Sequence, residues 1–225
     1  MTTSQRLVGR SLLEHNSQLA QRNRERFARA GVRAVNLLSS PGAGKTALLE
    51  HLARQPGAPA RMAALVGDLA TDLDAARLRA AGLPAVGLNT GQACHLEAAM
   101  VARGVERLER EEGLALEDLD WLLIENVGNL VCPAAFDLGE SLRLVLLSVP
   151  EGEDKPLKYP AMFRSADVVA ISKSDLITPL AYDLPAVRRA IERVAPQATV
   201  LTVSCRDGHG LEALWPLLQG WNGQS

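Results

Sequence analysis

Cysteine is scarce in this sequence: Cys94, Cys132 and Cys205 are the only three in 225 residues. Three widely spaced thiols do not make a disulfide framework, so a reducing compartment is expected, with the thiols either buried or ligating a metal. No apolar run approaches the roughly 20 residues needed to cross a bilayer. The opening Met1-Thr2-Thr3-Ser4-Gln5-Arg6 has neither the apolar stretch nor the small-residue cleavage site of a secretory leader, and a cytoplasmic location is expected. An excess of one charge is also missing. The 24 Lys and Arg stand against 26 Asp and Glu, for a net charge of −2, which gives no general attraction to nucleic acid or to an anionic membrane. Aromatics are only 4% of the chain. Arg22, Arg24, Arg26 and Arg29 are interleaved with polar residues and not clustered with aromatics, Phe27 alone standing among them, which argues against a nucleic-acid surface. No internal repeat, low-complexity tract or linker interrupts the chain. What these absences leave is a single domain over residues 1–225, long enough for a substantial core, with an N-terminal helix (about residues 10–30) packed on it and frayed ends at Met1–Gln5 and Asn222–Ser225.

What is present is organised around Ser39-Ser40-Pro41-Gly42-Ala43-Gly44-Lys45-Thr46. An apolar run, Ala34 to Leu38, precedes it and a helical pattern beginning at Ala47 follows, which is the context of a phosphate-binding P-loop. Glycines at 42 and 44 let the backbone N–H groups of residues 42–47, including Ala43 and Ala47, turn toward phosphates at a helix N-terminus. Lys45 would reach the β/γ-phosphates and the Thr46 hydroxyl would ligate Mg²⁺. The general pattern opens with Gly, where this chain has Ser39. A plain tight turn would not need Gly-Lys-Thr after a β-like run.

Further apolar runs alternate with helical patterns: Met62–Val66, Ala85–Leu88, Trp121–Ile124, Leu142–Val149, Val168–Ile171 and Thr199–Val203 read as strands. Helices are expected at Ala75–Ala81, from His95 toward Glu112, at Leu184–Val194 and at Leu211–Leu218. The order predicts an α/β fold, a doubly wound, mainly parallel sheet flanked by helices, with the chemistry at the strand C-termini. Acidic residues stand at two of those ends. Asp68, Asp72 and Asp74 follow the second strand and could hold Mg²⁺ or orient a water, while Asp72 and Asp74 are equally plausible helix caps. Glu125 ends the most apolar strand, where a Walker-B carboxylate belongs, and Gly128 after it leaves room for a mobile segment.

Ser172-Lys173-Ser174-Asp175 follows another strand and departs by one residue from the Asn-Lys-x-Asp of GTP-binding proteins. Asp175 would accept from the guanine N1–H and 2-amino group, and the Lys173 stem would cover the base. Ser204-Cys205 stands where a backbone N–H reaches the guanine carbonyl, although Cys205 is most simply a buried small residue. Cys94-His95 and Cys132 offer thiolate and imidazole, a set suited to Zn²⁺ or Ni²⁺. On spacing alone, two buried thiols and a capped His fit as well as a metal site. His15 and His51 have no Cys or His nearby and His209 has no partner His, so solvated or packing roles are expected for all three.

Taken together, the P-loop, Gly67-Asp68-Leu69-Ala70-Thr71-Asp72-Leu73-Asp74, Thr90-Gly91-Gln92-Ala93-Cys94-His95-Leu96, Glu125-Asn126-Val127-Gly128-Asn129-Leu130-Val131-Cys132-Pro133 and Glu151–Pro160 resemble the HypB family of nickel-incorporation GTPases. The resemblance runs from the first helix to Trp215. It implies a SIMIBI-class P-loop GTPase, slow in hydrolysis, that dimerises with GTP and delivers nickel to [NiFe]-hydrogenase. It implies a nickel or zinc site of Cys94, His95 and Cys132 at the dimer interface, a hydrolytic role for Asp74 beside Lys45, and Mg²⁺ held near Thr46, Asp68 and Glu125. A HypA-type delivery partner and the hydrogenase large subunit are the partners it implies. Two departures are noted. Ser172 weakens the case for tight guanine discrimination, and the 225 residues hold neither the Cys-rich nor the His-rich stretch of some relatives, so nickel storage through those is not expected. Glu125 and Cys132 share one loop, so a nucleotide that orders it would also move metal ligands. A metallochaperone GTPase for urease or a cobalamin enzyme, a P-loop small-molecule kinase, and a binding module with vestigial hydrolysis are the competing readings.

Overall fold

Each of the seven apolar runs is a strand. A computed structural model describes residues 3–55, 58–59, 61–91 and 93–221. In it β1 (Arg33–Ser39), β2 (Met62–Asp68), β3 (Ala85–Asn89), β4 (Trp121–Glu125), β5 (Leu142–Ser148), β6 (Val168–Ser172) and β7 (Thr199–Thr202) form one sheet in the order β3-β2-β4-β1-β5-β6-β7. Every pairing is parallel, so the sheet is wholly, not mainly, parallel. Such strands are apolar on both faces because both are covered, and β4 is buried from Trp121 to Glu125. Successive residues alternate: Val35, Leu37, Leu123 and Leu144 pack on one face with α2 (Lys45–Arg54), α3 (Leu73–Ala80) and α8 (Leu214–Gly220). Ala34, Leu122 and Ile124 meet α1 (Thr3–Ala30) and α4 (Ala98–Glu112) on the other. Val145, Leu147 and Val169 continue that second face under α6 (Pro160–Arg164) and α7 (Leu184–Val194); the four-residue α5 (Lys155–Lys158) precedes α6.

Several element boundaries differ from the sequence reading. The first helix begins at Thr3, and Met1, Thr2 and Asn222–Ser225, expected to fray, lie outside the described residues. The helix expected from His95 begins at Ala98: Glu97 is extended (φ −113°, ψ 157°), and the Leu96 N–H is drawn to the Asn126 side chain. Leu211–Ala213 is a 3₁₀ turn leading into α8.

Buried asparagines dock α1. Asn23 donates to the carbonyls of Ala98 and Leu138 (2.9 and 3.0 Å). Asn16 donates to the Asp137 carbonyl (2.8 Å) and accepts from the Ala98 N–H (2.9 Å). Gly139 makes this approach possible. Its φ is +90°, and a Cβ there would lie 2.6 Å from the Ala20 carbonyl oxygen and 2.8 Å from the Arg24 nitrogen. Both obstacles are backbone, so they cannot swing aside. Gly139→Ala is therefore expected to destabilise the protein by roughly 2–3 kcal/mol, read as a lower urea midpoint; an unchanged midpoint would show that α1 is not docked this way in solution.

Candidate nucleotide and metal sites

The C-terminal ends of β1, β2 and β4 converge on the P-loop. Gly42 (φ +72°) and Gly44 (φ +101°) take the left-handed conformations that other residues adopt at a cost, and Gly44 leads into α2. A cavity of about 450 Å³ opens over the loop, lined among others by Gly42, Gly44, Lys45, Thr46, Ala47, Asp68, Asp74 and Glu125. Lys45 is buried, with Nζ 3.1 Å from the Ser39 hydroxyl; the residue in place of the usual first Gly thus gives the lysine a partner. Burial lowers the Lys45 pKa, opposed by the charges of Glu125, Asp74 and Glu151. Glu151 also accepts from the P-loop hydroxyl of Ser40 and from Ser148, a contact the sequence reading did not assign.

The acidic residues divide into two groups. Asp68 faces the cavity and is pinned by the Ala70 N–H (3.0 Å) and the Thr71 hydroxyl (2.9 Å); the Ala70 hydrogen bond leads in holding its pKa down. Asp74 also faces the cavity, held by Arg77 (3.2 Å), which itself pairs with Glu50 (2.8 Å). Arg77 lines the cavity and was not foreseen. Asp72 turns the other way, to Arg79, and although it occupies the N-cap position of α3 it makes no capping hydrogen bond. Glu125 is 4% exposed. Its Oε1 accepts from the Thr46 hydroxyl (2.8 Å), and its Oε2 is buried with no partner among the described residues. A hydroxyl, an orphaned carboxylate oxygen and Asp68 across the cavity form the hard-oxygen donor set that suits Mg²⁺.

A second, more apolar cavity of about 380 Å³ shares Gly44 and Ala47 with the first and is lined by Ser172, Lys173, Asp175, Cys205 and Arg206. The Ser172 hydroxyl donates to the Ala43 carbonyl (2.8 Å) and Lys173 Nζ to the Gly42 carbonyl (2.8 Å), so this segment braces the P-loop. Asp175 is oriented by the Ser204 hydroxyl (2.8 Å). The Ser204 N–H is engaged by the His209 carbonyl (2.9 Å); Cys205, half-buried and not the simple core residue expected, is the member of the pair that lines the cavity.

Cys94 and His95, adjacent on the loop after β3, come together with Cys132, which opens a 3₁₀ turn after β4. Their ligating atoms are all within 4.8 Å of one another. His95 Nε2 is buried with no hydrogen-bond partner among the described residues, Glu97 Oε1 lying 3.9 Å away, and the ring of Phe136, another residue the sequence reading missed, packs on the imidazole with centroids 3.8 Å apart. Desolvation lowers the His95 pKa and keeps the imidazole in its neutral, ligating form. The neighbouring Cys94 thiol, then burial, raise that of Cys132. Two thiols and an orphaned imidazole nitrogen fit a borderline-soft ion and leave it short of four protein ligands. Between the two sites runs the segment 125–132. Gly128, expected to leave room for movement, instead lies flat against the P-loop: a Cβ there would be 2.7 Å from Pro41 Cα. Asn129 donates its N–H to the Ser39 carbonyl (2.8 Å) and its amide to the Cys94 carbonyl (3.4 Å).

Burial raises the Glu125 pKa from 4.5 to about 7 despite the Lys45 charge. A folded-state value above the unfolded one means that stability is fullest below pH 4.5 and falls as pH rises toward 7. The nucleotide-free protein should lose stability between pH 5 and 8, and Glu125→Gln should escape this loss, ending roughly 1–3 kcal/mol ahead of wild type at pH 8 by urea unfolding. A parallel response in both proteins would mean that the carboxylate is ionised throughout.

Residues 33–202 match the CobW/HypB/UreG nucleotide-binding domain family. The hydrogenase maturation factor HypB of Azotobacter chroococcum is 48% identical over 204 residues, 91% of this chain. The chain spans only 65% of that relative's length. The hydrogenase/urease maturation factor HypB of Helicobacter pylori is 45% identical over 201 residues, covering 89% of this chain and 81% of the relative. Among solved structures, HypB from Helicobacter pylori in complex with nickel superposes with a TM-score of 0.86 at 43% identity, over 91% of this chain and 94% of that one. The signal recognition particle receptor FtsY from Elizabethkingia anophelis in complex with GDP, at 15% identity and a TM-score of 0.53 over 76% of this chain and 57% of that one, shares the fold alone. The chain belongs to the HypB branch of the CobW/HypB/UreG family of nucleotide-binding proteins.

Proposed function

We propose that this chain is a GTP-hydrolysing nickel metallochaperone domain serving [NiFe]-hydrogenase maturation in the cytoplasm. The observation that carries the reading is the joining of a P-loop cavity to a Cys94–His95–Cys132 cluster by one short segment, residues 125–132. The nickel-bound relative and the maturation factors of similar sequence support it. GTP would lie across both cavities. The P-loop N–H groups and Lys45 hold the phosphates, while Lys173 and Asp175 hold the base, Asp175 through the guanine donors that adenine lacks. Ser204 orients Asp175, and the Cys205 N–H is the donor for the base carbonyl. Thr46, Glu125 and Asp68 would hold Mg²⁺ directly or through water, and bound Mg²⁺ neutralises charge developing on the β/γ-oxygens. Asp74, fixed by Arg77, orients the attacking water, so the carboxylate acts by positioning, as phosphoryl transfer requires.

Nickel is the cargo, and zinc would occupy the same three donors. A second copy of the chain, brought in with GTP, completes the site, and a HypA-type partner and the hydrogenase large subunit stand before and after it in the transfer. The Helicobacter relative, which is named for urease as well as hydrogenase, supports the second reading, delivery to urease.

Three measurements test this. Calorimetric titration with nickel should give a site lost in both Cys94→Ala and Cys132→Ala; binding indifferent to both cysteines would reject the cluster as the nickel site. Asp74→Asn should lower the GTP turnover number by about a hundredfold through loss of water positioning, and an undiminished rate would remove Asp74 from catalysis. Adding a non-hydrolysable GTP analogue should shift the mass in light scattering from monomer to dimer, and no shift would remove the second copy.

A further inference from the structure

Asn126 is buried (1% exposed) between the two sites and belongs to neither ligand set. Its Oδ1 accepts from the N–H of Leu96 (3.0 Å), next to His95, and from its own neighbour Val127 (3.0 Å). Its Nδ2 donates to Asn36 Oδ1 (3.3 Å), and Asn36 Nδ2 donates to Glu140 Oε1 (3.1 Å). Glu140 also accepts from Arg143 Nε (2.6 Å) and from the Leu138 N–H (2.7 Å).

The direction of this chain is forced. A carboxylate beside an arginine only accepts, so Asn36 must turn its NH₂ to Glu140 and its oxygen to Asn126. Asn126 must then donate to Asn36, which leaves its oxygen for the Leu96 and Val127 N–H groups. A flipped Asn126 would set two acceptors together and leave two buried N–H groups facing an NH₂. The carboxamide therefore has one orientation, set from the middle of the sheet, and it ties the residue after Glu125 to the residue after His95.

We propose that Asn126 is the positioning residue that couples the nucleotide cavity to the nickel ligands, an inference that rests on the reading under Proposed function. Glu125 contacts Thr46 in the P-loop helix, so a displacement of the end of β4 pulls on Leu96 through one rigid amide. Asn129 supplies a parallel tie to the Cys94 carbonyl, and the contact of Gly128 with Pro41 keeps the whole segment in step with the P-loop.

The test is the nickel affinity of the intact chain, by calorimetry, with saturating GDP and with a saturating non-hydrolysable GTP analogue. Saturation makes the ratio of the two affinities independent of nucleotide affinity. Wild type should show a ratio of about tenfold, within the usual range for coupled sites. Asn126→Ala should still bind nickel, with its thiolate-to-nickel absorption band present, at a ratio within about twofold of unity. A variant that keeps the wild-type ratio overturns the proposal. Should Asn126→Ala fail to give a native circular dichroism spectrum, Asn126→Ser, which keeps a polar side chain but cannot span from Asn36 to the Leu96 N–H, is held to the same criterion, and a wild-type ratio in it overturns the coupling. A wild type whose nickel affinity ignores the nucleotide overturns the nucleotide-switched reading itself, and the coupling with it, before any variant is compared.

Discussion

The burial of one carboxylate governs the organisation of this molecule. Glu125 sits at the end of β4, an interior apolar strand, beside Lys45 and hydrogen-bonded to Thr46. A buried charge is tolerated only when it is paired, hydrogen-bonded or coordinated, so the P-loop, the end of β4 and the cavity between them must be built as a unit. Parallel pairing arranges this without special devices: Leu37 lies opposite Glu125 in the register of β1 and β4, which puts the carboxylate at the mouth of the loop that begins two residues later.

The segment after Glu125 illustrates how one short stretch serves two chemistries. Glu125 faces the phosphate cavity, Asn126 and Asn129 bind the Leu96 N–H and the Cys94 carbonyl, and the segment's one glycine provides close contact in place of freedom. Coupling between sites can be carried by packed side chains, hydrogen-bond networks and rigid elements that have two discrete arrangements. A loop whose amides are fixed at both ends by buried partners has that character, whereas a loosely held lid would not.

Much of this was legible in the sequence. The strands could be read because a sheet covered on both faces leaves continuous apolar runs, and β4 and β6 are the clearest cases. The P-loop was legible because its glycines and Gly-Lys-Thr have a local mechanism. What the sequence could not divide was Asp68, Asp72 and Asp74, three carboxylates within seven residues at and after one strand end; only the side chain of Arg79, seven residues on, turns Asp72 away. Nor could spacing bring Cys132 to Cys94, since β3 and β4 stand on either side of β2 and their loops meet above it. Asn126 lay in plain view within a quoted motif. Its partners are 30 and 90 residues distant, and an asparagine carries no local pattern that announces them. Phe136 left no signal at all.

Cys94, His95 and Cys132 offer three donors from one chain, and a four-coordinate ion held there would find its remaining partner in water or in another molecule. In the second case the ion and the assembly share one equilibrium, and mass action makes the apparent nickel affinity rise with the concentration of protein. A carrier built in that way would have no single dissociation constant. It would hold its cargo where copies are abundant and give it up on dilution, with no change in any bond within the chain.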